Sequence, residues 1–437
     1  MLTLETPNSY SGPTVINGGT IRIDSADALG DGSPTNALIF NGGALRISAP
    51  NSVQQPLDLG VGRSVSVGAL GGTLSLATLD EIAVPGRISG SGQLRVTGGG
   101  KFILKGNNTG FTGDVVVDSE GATQLGIKGG SVLRLDHDQA LTSSAVRLIP
   151  STTTNVVTTL ELNRVSIGSG VSLALAANTT NGTRLTAIRG TNDWNGAITI
   201  EGTGTSNRIG ASDGARLNIA GSITGPGGFE KIDGGTVELL GDSNGWTGEI
   251  EFTEGTLLVS GNIAGSTVTV NRGILGGEAG TLGGEGGTLG GEGGTLGAVN
   301  VNHGTLAPGA SIGTLHSGDV NLSGNANFHL EIESNALTTD LLASSGTVSL
   351  SLATLTVDDL GHAILIAGER FTFITANSVT GTFADLPDGA PLMVGESQFT
   401  IDYTPTSVAL VAVPEPGALA VLMAGFGVAM GVRRRRR

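Results

Sequence analysis

The sequence predicts an all-β chain: a right-handed parallel β-helix (solenoid) with a C-terminal β cap and one C-terminal transmembrane helix. Three observations predict it. Glycine accounts for 74 of 437 residues, about 17% against a usual ~7%. Short strands of alternating apolar and polar residues recur between Gly, Asn, Asp and Ser, with almost no helical periodicity. The last residues combine a proline neck, an apolar run and five arginines.

Internal repeats support the solenoid. Ile88 to Gly113 aligns without a gap to Ile223 to Gly248, with ten of 26 positions identical, seven of them glycine. Such units cannot bury an apolar face singly and must stack on their neighbours. A parallel β-helix stacks strands at about 4.8 Å and places glycines at its corners. A set of β-sandwich domains is the alternative, but the glycine spacing is short and no linkers divide the chain.

The units end on an aromatic-x-Gly signature. It occurs at Tyr10-Ser11-Gly12, Phe111-Thr112-Gly113, Trp194-Asn195-Gly196 and Trp246-Thr247-Gly248. With the Gly-x-Gly-x-Leu/Phe that precedes it, the signature resembles autotransporter-associated β-strand (PATR) repeats, which occur in passenger domains of secreted bacterial β-helix proteins. The resemblance covers 90–113, 225–261 and 2–23 and is weaker near Trp194. We expect the four rings to plug corners of the coil rather than to stack on carbohydrate.

Low complexity begins at Leu275, where the seven-residue unit LGGE(A/G)GT repeats through residue 297. We expect a flexible or loosely coiled spacer; stacking Glu278, Glu285 and Glu292 as a cation ladder is the weaker alternative. From 317 to 411 the alternating strands lengthen and glycine thins out, which suits a terminal cap that shields the last rung. The predicted domains are therefore residues 1–274, 275–297, 298–411 and 412–437.

The tail, residues 412–437, carries the predicted functional site. Val413, Pro414, Glu415 and Pro416 form an extended neck because proline fixes its own φ and restricts the residue before it. Residues 417–432 are uncharged and, as a helix, would span roughly 24 Å of the ~30 Å hydrocarbon core. Positive charge close to a membrane-spanning helix stays in the cytoplasm, so the body should lie on the other side. The arginines that set this orientation are Arg433, Arg434, Arg435, Arg436 and Arg437.

This order of features resembles the PEP-CTERM sorting signal of Gram-negative bacteria that make exopolysaccharide, a tail also catalogued as an ice-binding protein C-terminal domain. The resemblance implies recognition by an exosortase, processing near Val413 to Pro416, and a path from the inner membrane to the cell envelope or extracellular matrix. Exopolysaccharide is then a possible partner. An ordinary tail anchor is the alternative. Residues 1–5 do not form a signal peptide, so we expect the true start of the protein to lie upstream.

Charge and chemistry narrow the function. The formal net charge of the chain is −15, and that of the body without the five terminal arginines is −20. Such a negative surface repels nucleic acid, so nucleic acid is not expected as a partner. There is no cysteine, and no histidine pair has metal-ligand spacing, so no catalytic residue, metal site or cofactor is predicted. Asp136-His137-Asp138 could bind a metal or transfer protons, but a polar turn is the more common role of such a cluster. Asp358-Asp359 also reads as a turn.

The sequence favours an exported structural or adhesin-like protein of the cell envelope. A polysaccharide-acting lyase or hydrolase is the alternative, and it requires three or more Asp or Glu in one groove. Ice binding is a third hypothesis and requires a flat face of regularly stacked threonines.

Overall fold

The computed structural model describes residues 1–48, 56–77, 80–122, 129–178, 181–202, 206–271, 287–290, 294–309, 312–363 and 365–413. It divides into two compact units, residues 1–269 and 270–437. Within the described ranges the backbone forms strands and one short 3-10 helix, Ala26–Leu29. No helix in these ranges is long and apolar enough to cross a membrane.

Thirty short strands lie in the described residues of the first unit, and a thirty-first spans the boundary between the units. In chain order they are β1 Leu2–Leu4, β2 Thr14–Ile16, β3 Thr20–Ile23, β4 Leu38–Phe40, β5 Ala44–Ile47, β6 Leu57–Asp58, β7 Val65–Val67, β8 Gly72–Leu76, β9 Glu81–Val84, β10 Ile88–Gly90, β11 Leu94–Thr97, β12 Lys101–Leu104, β13 Gly110–Phe111, β14 Val115–Val117, β15 Val132–Leu135, β16 Ala145–Leu148, β17 Thr158–Asn163, β18 Ser166–Ile167, β19 Ser172–Leu175, β20 Thr183–Arg189, β21 Thr191–Trp194, β22 Ile198–Ile200, β23 Asn207–Ala211, β24 Arg216–Ile219, β25 Ile223–Thr224, β26 Phe229–Ile232, β27 Thr236–Leu239, β28 Ile250–Phe252, β29 Gly255–Val259, β30 Asn262–Ile263 and β31 Val268–Val270.

These strands stack in parallel as three faces of a solenoid. Face 1 is a ten-stranded sheet in the order β1-β3-β5-β8-β11-β14-β16-β19-β22-β25. Face 2 runs from β6 through β9, β12, β15, β17, β20, β23 and β26 to β28. Face 3 consists of two sheets, first β2-β4-β7-β10-β13 and then β18-β21-β24-β27-β29. The chain passes from face 3 to face 1 to face 2, so the predicted parallel solenoid is confirmed; its handedness stays a prediction.

The core lies between the faces. It consists of every second side chain of each strand, because successive side chains of a strand point to opposite sides. Inward-facing residues of successive rungs stand in register and are buried, so each rung covers the apolar surface of the one before it. One such column on face 1 consists of Leu45, Leu74, Val96, Val117, Leu148, Leu175 and Ile200.

Glycine is required where successive corners approach each other. At Gly92 a Cβ would lie 1.7 Å from the Gly68 carbonyl oxygen. At Gly90, whose φ is +110°, it would lie 2.1 Å from the Val67 carbonyl oxygen. No side chain fits at either position, and φ at Gly90 also disfavours L residues. Close stacking of corners therefore explains the repeated glycines of the sequence.

The two aligned sequence repeats occupy different faces. Leu94 and Phe229 are equivalent in the alignment, yet Leu94 begins β11 on face 1 and Phe229 begins β26 on face 2. Likewise Phe102 lies on face 2 and its counterpart Val237 on face 3. A strand-turn-strand unit thus serves any pair of neighbouring faces, because each face offers the same parallel ladder to stack on.

The second unit contains parallel strand pairs, as the first unit does, and also antiparallel pairs among its last strands. Its strands are β32 Gly287–Gly290, β33 Thr295–Leu296, β34 Val299–Val301, β35 Gly304–Leu306, β36 Thr314–Ser317, β37 Val320–Leu322, β38 Ala326–Glu333, β39 Thr338–Thr339, β40 Leu341–Ser344, β41 Thr347–Ser349, β42 Thr354–Asp359, β43 Arg370–Thr375, β44 Ser378–Thr380, β45 Pro391–Val394, β46 Ser397–Thr404 and β47 Ser407–Ala412.

Antiparallel pairing joins the strands at the end of the described part of the second unit. β43 pairs with β47, β47 with β46 and β46 with β45, all antiparallel. The edge strand β45 begins at Pro391, which cannot donate a hydrogen bond to a further strand. This is the arrangement expected of a cap.

Part of the predicted spacer is regular strand. In β32, Thr288 pairs with Thr305 and Leu289 with Leu306, and in β33 Thr295 pairs with His316. Glu278, Glu285 and Glu292 lie outside the described residues, as does the predicted transmembrane helix at 417–432. The predicted domain boundaries stay predictions.

Candidate interaction surface

The predicted sorting residues lie almost wholly outside the described residues. Only Val413 is described, and its backbone N–H donates to the Gln398 carbonyl at 2.9 Å, which ties the start of the neck to the cap. Pro414, Glu415 and Pro416, with Arg433 to Arg437, fall in the part that the structure does not describe.

Asp136-His137-Asp138 is a polar turn whose side chains point to three different places. Asp136 accepts hydrogen bonds from Arg134 at 2.6 Å and Asn163 at 3.0 Å. His137 Nδ1 accepts the Gln139 N–H at 3.0 Å, and Asp138 accepts the Ser166 N–H at 2.8 Å. The three groups do not converge on a common point. Among the described residues, no set of three His, Asp or Glu side chains is placed to hold a metal ion.

The other acidic pair also serves the backbone. Asp359 Oδ1 accepts N–H groups from Ser334 and Gly361, as a turn residue does. Asp358 Oδ2 instead lies 2.9 Å from His329 Nε2 across neighbouring strands.

Many carboxylates of the first unit, in strands and in connections, pair with nearby basic side chains. Lys101 contacts Glu81 at 3.6 Å and Glu161 at 3.3 Å. Further pairs are Arg95 with Asp118 and Glu120, Arg134 with Asp136, Arg147 with Glu201, Arg184 with Asp233, Arg208 with Glu230, and Arg216 with Glu238. These pairs neutralise charge and each contribute little stability. The carboxylates of these pairs are therefore not the free groups that a polysaccharide lyase or hydrolase needs.

Three of the four signature rings are buried as expected, although Phe111 and Trp194 stand at the ends of strands β13 and β21 rather than in corners. Phe111, Trp194 and Trp246 are buried. Trp246 stacks on Phe229 with centroids 5.8 Å apart and donates from Nε1 to the Gly227 carbonyl at 2.9 Å. Tyr10 differs: it is 39% exposed and its hydroxyl hydrogen-bonds Thr14 Oγ1. The buried rings are therefore unavailable to a ligand.

Threonine does not form a regular ladder on face 3. Thr191, Thr236 and Thr256 share a column, but Arg216 stands between the first two. A flat face of stacked threonines, which ice binding would require, is not present along this column.

Loop length is strongly asymmetric among the corners of the first unit. Connections from face 3 to face 1 have three or four residues throughout the described strands. Connections from face 1 to face 2 range from three residues (98–100) to fourteen (118–131). We call the described residues of this second set the loop edge: 48, 56, 77, 80, 98–100, 118–122, 129–131, 149–157, 176–178, 181–182, 201–202, 206 and 225–228. Among connections that join neighbouring faces, the number of residues between strands therefore varies most at the face 1 to face 2 corner.

Buried hydroxyl groups fix the bases of these loops. Ser119 Oγ accepts the Ser131 N–H at 2.8 Å and lies 2.8 Å from Thr158 Oγ1. Ser131 Oγ in turn accepts the Gly99 N–H at 2.9 Å. These contacts link the connections 98–100 and 118–131 to the first residue of β17. Hydrogen bonds between neighbouring rungs therefore hold the bases of these loops.

Buried amides continue this anchoring along the edge. Asn181 Nδ2 donates to the Ser151 carbonyl at 2.6 Å, and its Oδ1 accepts the Asn155 N–H at 3.0 Å. Asn207 Oδ1 accepts from the Ala177 N–H and from Thr183 Oγ1. In the connection 149–157, whose base is held by these bonds, the side chains of Thr152 and Thr154 are exposed.

A buried lysine is the feature that the sequence analysis missed. Lys231 is 0% exposed, and its Nζ donates to the carbonyls of Asp233, Gly235 and Glu254. Burial lowers the pKa of Lys231 to about 7, with Asp233, Glu254 and Asp213 opposing that shift. Its position in the alternating strand could have predicted this burial. Lys231 lies two residues after Phe229, so both side chains point to the same, inward side of β26.

The fold and its corners define a parallel β-solenoid of repeated strand-turn-strand units. The passenger-associated-transport-repeat matches residues 1–23, 94–125 and 229–259. The chain therefore carries these repeats, and three of the positions predicted from the sequence are confirmed.

Two curated relatives match parts of the chain. The "Adhesin BmaC autotransporter" of Brucella suis biovar 1 (strain 1330) is 34% identical over 131 residues, 30% of this chain and 4% of that protein. The "Extracellular serine protease" of Serratia marcescens is 27% identical over 223 residues, 49% of this chain and 20% of that protein. The matched region thus spans a small fraction of either relative.

A solved structure, the Haemophilus influenzae Hap adhesin, aligns over 92% of this chain and 64% of its own at 11% identity and a TM-score of 0.18. That score is too low to bear on the fold, which rests on the strand pairing.

Proposed function

We propose that this chain is an exported, adhesin-like protein of the cell surface or extracellular matrix, in which the solenoid is a stiff support and the loop edge makes the contacts. The observation that carries the proposal is the asymmetry of the corners. One corner accepts connections of three to fourteen residues, while the face 3 to face 1 corner keeps three or four. Scaffolds that present binding loops have this arrangement.

Similarity to known proteins supports the same proposal. The passenger-associated-transport-repeat occurs three times, and one relative of these segments is named an adhesin. The pairing of face carboxylates with basic side chains favours a structural role over the alternative of a polysaccharide-acting enzyme. No residue-level observation favours the protease named in the second relative.

We further propose that the tail sorts the protein. Val413, Pro414, Glu415 and Pro416 would be the neck that an exosortase recognises, residues 417–432 would insert in the inner membrane, and Arg433 to Arg437 would set the orientation. After processing the body would reach the cell envelope or matrix, where exopolysaccharide is the proposed neighbour. The support for this step is the order of features in the sequence.

Adhesion is tested by changing the loop edge while preserving the solenoid. Thr152, Thr153 and Thr154 are replaced together by glycine in the full chain displayed on cells, and attachment to a surface coated with host or matrix extract is measured. The matched control replaces Ser66, Thr73 and Ser75, outward residues of faces 3 and 1, by glycine. We expect attachment to fall only for the loop variant, with equal surface display. Equal attachment by both variants would contradict the loop edge as the contact surface.

Sorting is tested separately. In an exported full-length chain, replacing Pro414, Glu415 and Pro416 by alanine should leave unprocessed protein in the inner membrane. Replacing Glu396 and Ser397, in the nearby β45–β46 turn, is the control and should not alter processing. Normal processing of the neck variant would refute the sorting proposal without touching the adhesin proposal.

A further inference from the structure

The side chain of Lys231 occupies a core position of the solenoid. It lies in β26 between Ile209 of β23 and Phe252 of β28, which pair with it on either side and are both buried. A lysine in such a column is buried only if its ammonium group is satisfied. Its aliphatic stem fills core volume, and the Nζ lies 5.6 Å from the centre of the Phe252 ring.

Three backbone carbonyls receive the ammonium group. Nζ donates to Asp233 at 2.6 Å, Gly235 at 2.8 Å and Glu254 at 2.7 Å. An ammonium group carries three N–H donors and no acceptor. Its three donors therefore match the three carbonyl oxygens one to one. These short bonds favour the charged form of the amine.

The turns around Nζ are shaped to converge on it. Asp233 has φ +66°, a left-handed conformation that directs its carbonyl towards the interior. Gly255 has φ +78°, and a Cβ there would lie 2.3 Å from both Nζ and the Asp233 carbonyl oxygen. The carboxylates of Asp233, Glu254 and Asp213 add negative potential. The corner is therefore built for a cation.

We propose that the carbonyls of Asp233, Gly235 and Glu254 form a receptor for a primary ammonium group, filled by Lys231 and open to a free primary alkylammonium ion once that side chain is shortened. The receptor joins the turn after β26 to the turn after β28, so an internal cation links two successive rungs. This role is independent of the adhesin proposal.

The ligand class follows from the acceptors. A quaternary ammonium has no N–H to donate, and a neutral alcohol donates once, so neither can satisfy three carbonyls. n-Propylammonium reproduces the Cγ, Cδ, Cε and Nζ atoms that Lys231→Ala removes. It should therefore refill both the apolar stem and the receptor.

The test uses the full chain carrying Lys231→Ala, refolded with n-propylammonium chloride so that the buried site is filled during folding. We expect the substitution to lower the Tm by about 5 °C or more. Tens of millimolar n-propylammonium should restore at least about half of the loss. Tetramethylammonium chloride and n-propanol at equal concentration should not.

A cavity control separates the receptor from simple filling of space. Leu257→Ala removes a buried side chain of β29, and n-propylammonium should not restore its Tm more than n-propanol does. Equal recovery of Lys231→Ala by n-propanol, or no recovery by any amine, would overturn the proposal.

Lys231→Met keeps the test decisive if the alanine variant fails to fold. Methionine fills the stem but leaves three carbonyls without donors, so the Tm should still fall by several degrees. A Tm equal to or above that of the native chain would show that the carbonyls do not need the ammonium, and the proposal would fail.

Discussion

The guanidinium of Arg63 clamps the side chain of Asn36 from the next rung. Its Nη2 and Nε donate to the same Asn36 Oδ1 at 2.7 and 3.0 Å, and Arg63 is only 2% exposed. The remaining donors reach carbonyls of Ala26, Leu29, Gly30 and Leu59. Burial lowers the pKa of Arg63, yet the group has enough acceptors to stay inside.

Replacing Arg63 by methionine should therefore destabilise the first unit. The change removes both guanidinium donors to Asn36 Oδ1, which keeps only the Gly32 N–H, and leaves several buried carbonyls without the Arg63 donor. This loss costs about 2–3 kcal/mol in unfolding free energy. Urea unfolding of the full chain, followed by tryptophan fluorescence, measures the loss. Arg46→Met, at an outward position of β5, is the control and should change stability by less than about 0.5 kcal/mol. Equal effects would refute the clamp.

Asn108 should be a second such point. Its Oδ1 accepts the Ile88 N–H at 2.7 Å and its Nδ2 donates to the Ala140 carbonyl at 3.0 Å, so one buried amide serves two neighbouring rungs. Asn108→Ala should cost about 1–3 kcal/mol because both backbone groups lose their partner. The adjacent Asn107 is exposed, and Asn107→Ala should cost distinctly less. Comparable losses in thermal unfolding would contradict this account.

The two tryptophans should respond unequally to replacement by phenylalanine. Trp246 Nε1 has the Gly227 carbonyl as acceptor, whereas Trp194 Nε1 is buried with no acceptor in the part of the chain that the structure describes. Trp194→Phe removes an N–H donor that has no acceptor, whereas Trp246→Phe leaves the Gly227 carbonyl without this donor. The second should cost at least about 1 kcal/mol more. Each variant retains one tryptophan, which reports its own unfolding; a larger loss for Trp194→Phe would be inconsistent with these contacts.

Asp340 should give the second unit a pH dependence. Its two oxygens accept N–H groups from Gly313 and Glu331, each at 2.9 Å, and burial raises its pKa to about 6. Glu331 adds to that rise and His329 opposes it. The folded chain thus holds this proton more tightly than the unfolded chain, whose carboxyl has a pKa near 3.8. The contribution is fully present below about pH 4 and is lost as pH rises towards 6.

Asp340→Asn removes this titration. The difference in unfolding free energy between the native chain and Asp340→Asn should decrease between about pH 4 and 6 and be level from about pH 7 to 8. Chemical unfolding at half-unit pH intervals measures it. Asp388→Asn serves as the control for an acidic residue of the same unit. A flat difference across pH 4–6 would contradict the raised pKa.

Insertions should separate the loop edge from the other corners. Four Gly-Ser residues placed after Thr153 should shift the Tm by no more than about 1–2 °C, since lengthening an anchored loop costs little entropy. The same insertion after Ser91, in a three-residue connection, should cost several degrees because the glycine corner there stacks tightly on Gly68. Similar tolerance at both places would remove the basis for calling one corner the variable one.

The sequence by itself determined the parallel solenoid. Alternation within short strands, glycines at fixed offsets and an aromatic at the end of each unit are local features, and they specify strand, corner and inward side without knowledge of the neighbours. The sequence also determined the burial of Phe111 and Trp246, because a large aromatic side chain that points into the solenoid is buried.

Only the tertiary structure decided which rung and face each element joins. Leu94 and Phe229 are equivalent in sequence but lie on different faces, since every face offers the same ladder of backbone hydrogen bonds. The loop edge exists only because connections far apart in the chain stack at one corner. Lys231 looks like an ordinary polar residue of a strand until Asp233, Gly235 and Glu254 bring their carbonyls together, and that convergence is set by how one rung stacks on the next.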